Sequence, residues 1–276
     1  MDEMDSAARL ADHRRRITAH PLWYHTIEVE PGVVTPGWFD LRPIVDRMPW
    51  PDLAGRRCLD IGTYDGFLAF EMERRGASEV VAVDIADPDE WDWPARLRAQ
   101  GGTNLAQLAG ADKSAGFALA AELLGSKVKR HEVSIYDLDA EELGTFDVVT
   151  CGSLLLHLRD PLRALEAVRR MTTGLFLSAE TIDLSLSVLH PREAVARLNV
   201  VDELCQWWIP NVAGHRRMIE SAGFEIVRAS KPYAIPYGDA HPSPRTARDR
   251  AQWMFRRAVL RGAGVPHVAV LARPAI

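Results

Sequence analysis

Residues 58–67 read Cys-Leu-Asp-Ile-Gly-Thr-Tyr-Asp-Gly-Phe, an apolar run that passes through two glycines into a helical pattern. A strand, a glycine turn and a helix in this order direct backbone N–H groups and the positive end of the helix dipole above the edge of a sheet. The stretch therefore predicts a site for a nucleotide-like cofactor.

The spacing of the two glycines narrows the choice of cofactor. Gly62 and Gly66 are separated by three residues, unlike the Gly-x-Gly-x-x-Gly pattern that lets a backbone approach a pyrophosphate. Tyr64 and Asp65 lie where a diphosphate would need small neutral residues, whereas Asp60 can pair with a cation or an amine. These features disfavour a dinucleotide.

A second acid supports a nucleoside. Asp84 ends the next apolar run, about 20 residues past Gly62, which is near the spacing at which an acid binds ribose hydroxyls. The pattern favours a nucleoside with a positively charged tail. The alternative is that Asp60 and Asp84 only cap neighbouring helices.

Apolar runs alternate with helical patterns from about residue 56 onward, which is typical of a parallel sheet with crossover helices. We predict an α/β, Rossmann-like, mostly parallel seven-stranded sheet with helices on both faces and one late strand reversed. The predicted strands are Arg57–Ile61, Glu79–Asp84, Lys129–Tyr136, Phe146–Cys151, Leu175–Ala179, Phe224–Ala229 and His267–Ala272. The predicted helices are Phe67–Arg75, Gly116–Leu124, Pro161–Met171 and Gly214–Ala222.

Three segments lie outside this alternation. Residues 1–50 are predicted to form a cap or flap, and residues 51–276 the cofactor-binding domain. Within that domain, residues 182–213 and 231–264 are long insertions of the kind that contribute functional loops. We expect truncation to residue 40 to leave a folded protein that binds cofactor weakly.

Composition excludes several classes of protein. The chain has 276 residues, is 47% hydrophobic and carries a formal net charge of −5, which gives no overall attraction for nucleic acid. Its beginning has no apolar run, and no later stretch approaches the roughly 18 apolar residues of a membrane span. The three cysteines are widely spaced, which favours free thiols over a disulfide framework or a zinc site. We expect a cytoplasmic protein.

The sequence resembles the class I S-adenosylmethionine-dependent methyltransferases. The resemblance covers roughly residues 51–230 and rests on four stretches in the right order, "LDIGTYDG", "VVAVD", "SIYDL" and "FDVVTCGSLLLHLRDP". It implies S-adenosyl-L-methionine as methyl donor and S-adenosyl-L-homocysteine as product.

The same resemblance implies the cofactor contacts. Beside the methionine part they are Asp60, Gly62 and Gly66, with Thr63 and Tyr64 in the same turn. The ribose hydroxyls would be held by Asp84, next to Ile85, and the adenine would be bordered by Tyr136 and Asp137. The floor beneath the sulfonium would be Cys151, Gly152 and Ser153.

The fourth and fifth predicted strands deliver residues to the acceptor side of this fold. His157 follows the fourth strand and can accept a proton from a hydroxyl whose oxygen attacks the methyl carbon, which suggests O-methylation. Glu180 ends the fifth strand and can orient His157, bind substrate or act as the base itself. Alternatively His157 is a packed core histidine and Glu180 a helix cap. A divalent metal held by His157, Glu180 and Asp183 is an option that we do not predict, since no ligand spacing is distinctive.

A finer resemblance concerns the acceptor. The segment order is similar to the transfer-RNA wobble-uridine methyltransferase-like family, whose best-known members transfer a carboxymethyl group, and to actinobacterial O-methyltransferases of sugars and secondary metabolites. The short N-terminal region and the negative charge depart from the RNA enzymes. We predict a small-molecule acceptor, preferably a sugar or short oligosaccharide. The alternatives are a wobble-uridine modifier and a non-catalytic cofactor-binding protein.

Aromatic residues outside the regular core are the candidate walls of an acceptor pocket, because indole faces stack on sugars. The alternative is a second small core that ties the N-terminal segment to the sheet. We further expect Trp91 and Trp93 to shield the adenine, and we allow for a homodimer. The candidate acceptor contacts are Trp23, Tyr24, His25, Trp38, Phe39, Trp207 and Trp208.

Overall fold

The computed structural model describes residues 3–99, 114–199, 205–241, 254, 256–260 and 262–275. The predicted insertions 182–213 and 231–264 therefore lie partly outside the described residues. No described helix combines the length and the apolar character that a membrane crossing requires.

Eight strands of the described chain form one mixed sheet, in the order β10-β12-β7-β6-β3-β4-β5, with β11 paired to β12. The pairs among β3 to β7 are parallel, whereas β12 runs antiparallel to β7, β10 and β11. This confirms the predicted α/β class and its reversed late strand. The strands of this sheet are β3 (Arg57–Ile61), β4 (Glu79–Asp84), β5 (Lys129–Glu132), β6 (Phe146–Gly152), β7 (Thr172–Thr181), β10 (Phe224–Ala229), β11 (Tyr233–Ile235) and β12 (Val265–Pro274).

Two strand predictions were wrong in detail. The strand predicted to reach Tyr136 ends at Glu132, because the Ser134 side chain accepts a hydrogen bond from the Tyr136 N–H and the chain turns into a 3-10 helix at Ile135–Asp137. Strand β11 was missed, since three residues give too short an alternation to detect. Two small hairpins lie outside the main sheet, β1 (Glu28–Glu30) with β2 (Val33–Val34) and β8 (Ala196–Leu198) with β9 (Trp208–Pro210).

Helices cover both faces of the sheet. Helix α6 begins at a proline, and the Asp160 side chain caps it by accepting a hydrogen bond from the Arg163 N–H. Asn211 caps α8 in the same way through the Gly214 N–H. The described helices are α1 (Glu3–Ala19), α2 (Phe67–Arg74), α3 (Ala95–Ala99), α4 (Ala115–Leu124), α5 (Ala140–Leu143), α6 (Pro161–Met171), α7 (Leu184–Leu189) and α8 (Val212–Ser221).

The N-terminal segment belongs to the main core. Trp23 is 2% exposed, and its indole N–H donates to the Ile17 carbonyl at 3.0 Å. The segment's buried side chains join the hydrophobic cluster that contains α2 and one face of β3. Truncation to residue 40 would remove part of this cluster, and the expected folding and weak cofactor binding of the truncated protein stay predictions. The buried residues are Ile17, Trp23, Ile27, Val29, Val33, Leu41, Ile44, Val45 and Met48.

We predict that Trp23→Ala lowers the free energy of unfolding by about 3–5 kcal/mol, because it leaves a cavity where a fully packed indole lies. Leu189→Ala is the control, since Leu189 is 72% exposed and its loss should change stability by less than about 0.5 kcal/mol. Denaturant unfolding measures both. Equal stability of the Trp23 variant and wild type would contradict the buried position.

Candidate functional site

The glycine turn after β3 has the backbone shape that the sequence predicts. Gly62, Tyr64 and Gly66 have φ values of 73°, 49° and 96°, in the left-handed region. A Cβ on Gly66 would lie 2.5 Å from the Phe70 ring, so glycine is needed there for space as well as for backbone conformation. The Tyr64 N–H donates to Asp84 Oδ2 at 2.7 Å, which joins the turn to the end of β4.

A cleft of about 460 Å³, partly open to solvent, lies at the carboxyl ends of β3, β4 and β5. Its lining combines polar groups, among them Asp84 and Tyr136, with apolar side chains. This combination suits a ribose and an adenine. The lining residues are Ile61, Gly62, Val83, Asp84, Ile85, Glu90, Asp92, Val133, Ser134, Ile135, Tyr136, Leu154 and Leu158.

Asp92 is a site residue that sequence reasoning missed. Its Oδ2 accepts hydrogen bonds from the Tyr136 hydroxyl at 2.6 Å and from the Arg159 N–H at 2.7 Å. Asp92 also lines the cleft, whereas its neighbours Trp91 and Trp93 do not and instead stack on each other. The two indoles therefore lie outside the lining of this cleft, and their expected shielding of the adenine stays a prediction.

Asp60 is the buried acid at the end of β3. It is 1% exposed, and its Oδ1 accepts a hydrogen bond from the Thr150 hydroxyl at 2.6 Å. Its Oδ2 has no hydrogen-bond partner among the described residues. Burial raises the pKa of Asp60, and the hydrogen bond from Thr150 opposes that rise. A buried carboxyl oxygen without a partner suits a cationic group, so this structure fits the positively charged methionine part of S-adenosylmethionine.

The predicted sulfonium floor lies at the end of β6. Cys151 is fully buried, and burial raises the pKa of its thiol. A Cβ on Gly152 would lie 2.9 Å from Leu68, so the backbone packs closely against α2. Ser153 has φ 53° and a half-buried side chain. Of the other predicted cofactor contacts, Thr63 is buried in the glycine turn and Asp137 is exposed outside the cleft.

Asp65 ties the cofactor turn to the N-terminal segment. Its Oδ2 accepts hydrogen bonds from the backbone N–H groups of Tyr24 at 2.7 Å and His25 at 3.0 Å, and its Oδ1 contacts His25 Nδ1. The Tyr24 ring stacks on the Tyr64 ring, with centroids 4.7 Å apart. Sequence analysis used Asp65 only as evidence against a diphosphate and missed these contacts, because the partners lie about 40 residues away along the chain.

The candidate acceptor residues do not lie together in space. Trp23 lies in the core, as described above. Tyr24 and His25 lie over the glycine turn, and Trp38 and Phe39 form an aromatic cluster with Tyr237 and His241 from the predicted 231–264 insertion. The Trp207 and Trp208 indoles lie elsewhere and donate to the carbonyls of Asp92 and Arg159.

Glu180 lies in a second, closely packed cavity that is too narrow to hold a water molecule. Its Oε1 accepts hydrogen bonds from the N–H groups of Leu154 at 3.1 Å and Leu155 at 3.2 Å, which fixes the turn after β6. Its Oε2 has no hydrogen-bond partner among the described residues. Burial raises the pKa of Glu180 to about 8, and the backbone hydrogen bonds oppose that rise.

The walls of this cavity combine aromatic and polar groups. Trp208 and Met218 contribute apolar surface, and His215 is fully buried, with Nε2 2.9 Å from the Ser178 hydroxyl. His215 Nδ1 has no hydrogen-bond partner among the described residues, and burial lowers the pKa of this histidine to about 3. The cavity thus presents a carboxyl oxygen and an imidazole nitrogen beside an indole.

His157 lies in a 3-10 turn, Leu155–His157, between β6 and α6. Its Nδ1 is 2.9 Å from the carbonyl oxygen of Cys205, so Nδ1 carries the proton and donates it. This contact joins the turn to the 182–213 insertion. His157 lines neither of the two cavities, and its predicted role as general base stays a prediction.

Asp183 has a structural role. It caps α7 by accepting a hydrogen bond from the Leu186 N–H at 3.0 Å, and it pairs with Arg197. Within the described ranges, no group of three or more His, Cys, Asp or Glu side chains could hold a metal ion.

We predict that Asp84→Ala weakens S-adenosylhomocysteine binding by about 10- to 100-fold, because it removes the carboxylate that holds the turn and faces the cleft. Asp84→Asn should lose less affinity for S-adenosylhomocysteine, since its amide oxygen can still accept a hydrogen bond. Calorimetric titration measures both, with Asp52→Ala as the exposed control. Unchanged affinity in Asp84→Ala would contradict this assignment.

A second prediction follows from the raised pKa of Glu180. The folded protein keeps this proton up to about pH 8, whereas the unfolded chain releases it near 4.5, so the free energy of unfolding falls as pH rises between those values. Glu180→Gln does not titrate there. It should gain stability relative to wild type across this range, on the order of a few kcal/mol, and level off above it.

Chemical unfolding at several pH values tests the Glu180 prediction. Glu193→Gln is the control, because Glu193 is exposed in the same insertion and its replacement should change stability by less than about 0.5 kcal/mol. If the wild-type and Glu180→Gln curves stay parallel from pH 5 to about pH 9, Glu180 does not titrate in this way.

Comparison with protein families matches residues 40–229 to the family described as "Methyltransferase domain". Among curated relatives, the chain is 34% identical over 120 residues to a ubiquinone biosynthesis O-methyltransferase of Xanthomonas oryzae pv. oryzae, covering 44% of this chain and 40% of that protein. It is 29% identical over 157 residues to the protein of the same name from Aromatoleum aromaticum, covering 55% and 53%. The matches thus span about half the length of these relatives or less.

Solved structures share the fold. The N-terminal domain of EvdMO1, determined in the presence of S-adenosylhomocysteine and D-fucose, superposes with a TM-score of 0.50 at 16% identity, covering 99% of this chain and 97% of that one. The [4+2]-cyclase SpnF gives a TM-score of 0.50 at 16% identity, covering 85% and 79%. Since the family match extends over more than half of the chain and agrees with the fold and the cleft, this protein belongs to the methyltransferase domain family, the class I S-adenosylmethionine-dependent methyltransferases.

Proposed function

We propose that this protein transfers a methyl group to a hydroxyl of a small molecule, preferably a sugar or short oligosaccharide. The observation that carries the proposal is the buried Glu180 carboxyl at the carboxyl edge of the sheet, whose Oε2 has no hydrogen-bond partner among the described residues. A buried polar atom of this kind calls for a ligand that hydrogen-bonds to it.

The chemistry of the cavity suits a hydroxylated acceptor. With a pKa raised to about 8, Glu180 is largely protonated at neutral pH and can donate to one hydroxyl oxygen or accept from another. His215 Nδ1 offers a second polar contact, and Trp208 offers an apolar face. Carboxyl, imidazole and indole together match the alternating hydroxyl and C–H surface of a sugar.

S-adenosylmethionine, when bound, supplies an electrophilic methyl group on a sulfonium. The residues that would hold it are Asp60 beside the charged part, Asp84 at the ribose and Tyr136 at the adenine. The protein then has two tasks. It must align the acceptor oxygen with the methyl carbon, and it must take the proton that this oxygen loses.

Two comparisons agree with this proposal. The curated relatives are named as O-methyltransferases, and the structure that matches nearly the whole chain was determined with D-fucose present. SpnF, which shares the fold, is named as a cyclase. The fold alone therefore does not determine the reaction, and the argument rests on the site.

A screen of labelled methyl transfer tests the function. Wild-type protein with labelled S-adenosylmethionine is offered cell extract separated into RNA, carbohydrate and other small-molecule pools, together with a panel of free monosaccharides that includes D-fucose. We expect label in carbohydrate. Label in RNA would favour the wobble-uridine alternative, and cofactor binding without transfer to any pool would favour a non-catalytic protein.

Variants of Glu180 test its role in the same assay. We predict that Glu180→Ala lowers kcat/KM for the acceptor by about 10- to 100-fold, because a buried hydrogen bond to the acceptor is lost. The decrease in kcat/KM should be smaller for Glu180→Gln, since its amide can still hydrogen-bond to the acceptor. Glu193→Gln, the exposed control, should match wild type. Full activity in Glu180→Ala would remove the basis for this acceptor site.

A further inference from the structure

Ser153 and His267 form a hydrogen-bonded pair next to the predicted sulfonium floor. Ser153 Oγ lies 2.7 Å from His267 Nε2. The Ser153 backbone is held at φ 53° by its N–H, which donates to the Ala179 carbonyl at 2.7 Å. A serine rarely adopts this conformation, and such residues cluster at functional sites. The conformation places the side chain toward β12, where His267 lies.

The contacts of His267 determine its tautomer. Its Nδ1 is 2.9 Å from the Val265 carbonyl oxygen, which can only accept, so Nδ1 carries the proton. In the neutral ring, Nε2 therefore presents its lone pair. The hydroxyls of Ser153 and Thr181, at 2.7 Å and 3.0 Å, both approach this one nitrogen. One lone pair accepts one full hydrogen bond, and the shorter contact is the one to Ser153.

The surroundings of His267 keep the imidazole neutral. His267 is 3% exposed, and burial lowers its pKa to about 4, with a smaller contribution of the same sign from the charge of Arg256. The Val265 carbonyl favours the protonated form and opposes this shift. The Tyr233 ring stacks at 6.2 Å, and His215 is the other histidine close enough to interact electrostatically. The Nε2 lone pair is thus available throughout the neutral pH range.

We propose that Ser153 and His267 take the proton of the acceptor hydroxyl during methyl transfer, with Ser153 touching the acceptor and His267 as the buried proton acceptor behind it. Neither residue lines the two cavities described above, and the link to the Glu180 side is the turn itself, since Ser153 adjoins Leu154, whose N–H donates to Glu180 Oε1 at 3.1 Å. The acceptor oxygen forms its bond to the methyl carbon as the sulfur–carbon bond breaks. Its proton passes to Ser153 Oγ, and the Ser153 proton passes to His267 Nε2. This rests on the proposed function and assigns to Ser153 and His267 the proton transfer that the sequence assigned to His157.

A weakly basic imidazole is sufficient for this step. As the methyl group arrives, the acceptor oxygen acquires positive charge, and an alkylated oxygen that still holds its proton is a far stronger acid than an imidazolium. The base does not need to ionise the free hydroxyl. It needs to be neutral, correctly oriented and within reach, which are the properties that the Val265 and Ser153 contacts give to His267.

Kinetics of Ser153→Ala and His267→Gln test the pair. In the carbohydrate transfer assay, each should lower kcat by about 100-fold or more, while the dissociation constant of S-adenosylhomocysteine stays within about threefold of wild type. The double variant should be no slower than the slower single variant, because the two groups act as one unit. Ser221→Ala and His190→Gln are the matched exposed controls and should retain wild-type kcat.

Thermal unfolding of every variant separates catalysis from folding, and Ser153→Ala keeps the pair testable if the His267 variant does not fold. Ser153→Ala with kcat within threefold of wild type would overturn the inference, as would a loss of kcat matched by an equal loss of S-adenosylhomocysteine affinity. If the wild-type protein methylates no carbohydrate at all, the proposed function fails instead.

The pH profile gives a second, independent readout. With His267 as proton acceptor, kcat of the wild type should be flat between about pH 6 and pH 8, since the imidazole is already neutral. A rise through about pH 6.5 would indicate an ordinary histidine such as His157. A rise toward pH 8 would indicate Glu180 as the base. If kcat rises with pH in either way and the same rise is seen in Ser153→Ala, the assignment of His267 as the proton acceptor is contradicted.

Discussion

The Asp65 carboxylate joins the cofactor turn to the rest of the site. It accepts hydrogen bonds from two consecutive N–H groups of the N-terminal segment, at Tyr24 and His25, and contacts the His25 ring. Because Asp65 lies between Gly62 and Gly66, the position of the segment and the shape of the turn are set together. The stacked rings of Tyr24 and Tyr64 add a second contact across the same junction.

Two further acids give the carboxyl edge of the sheet its chemical character. Asp60 on β3 and Glu180 on β7 are each 1% exposed, and each has one carboxyl oxygen without a hydrogen-bond partner among the described residues. Burial raises the pKa of both. Buried acids are costly to the fold unless a ligand satisfies them, so their presence at the same edge of the sheet is best explained by what the site binds. A cation suits Asp60, and a hydroxyl suits Glu180.

The insertion after β7 stabilises the acceptor side by hydrogen bonds that reach back to the cofactor side. The Trp207 indole donates to the Asp92 carbonyl, while the Asp92 carboxylate binds the Tyr136 hydroxyl. His157 contacts the Cys205 carbonyl in the same region. The cleft at β3 to β5 and the insertion after β7 are therefore connected through a few polar residues, of which Asp92 contacts both.

The sequence by itself determined the fold class, the cofactor and the edge of the sheet where chemistry occurs. These follow from local patterns: strand periodicity, the spacing of Gly62 and Gly66, and acids at strand ends such as Asp84. Only the tertiary structure decided that Trp23 belongs to the core, that Asp92 rather than the neighbouring indoles lines the cleft, and that His267 meets Ser153. Ser153 and His267 are 114 positions apart, and their contact depends on the antiparallel return of β12 beside β7. The sequence around Ser153 does not indicate this pairing, because its partner His267 comes from the far end of the chain.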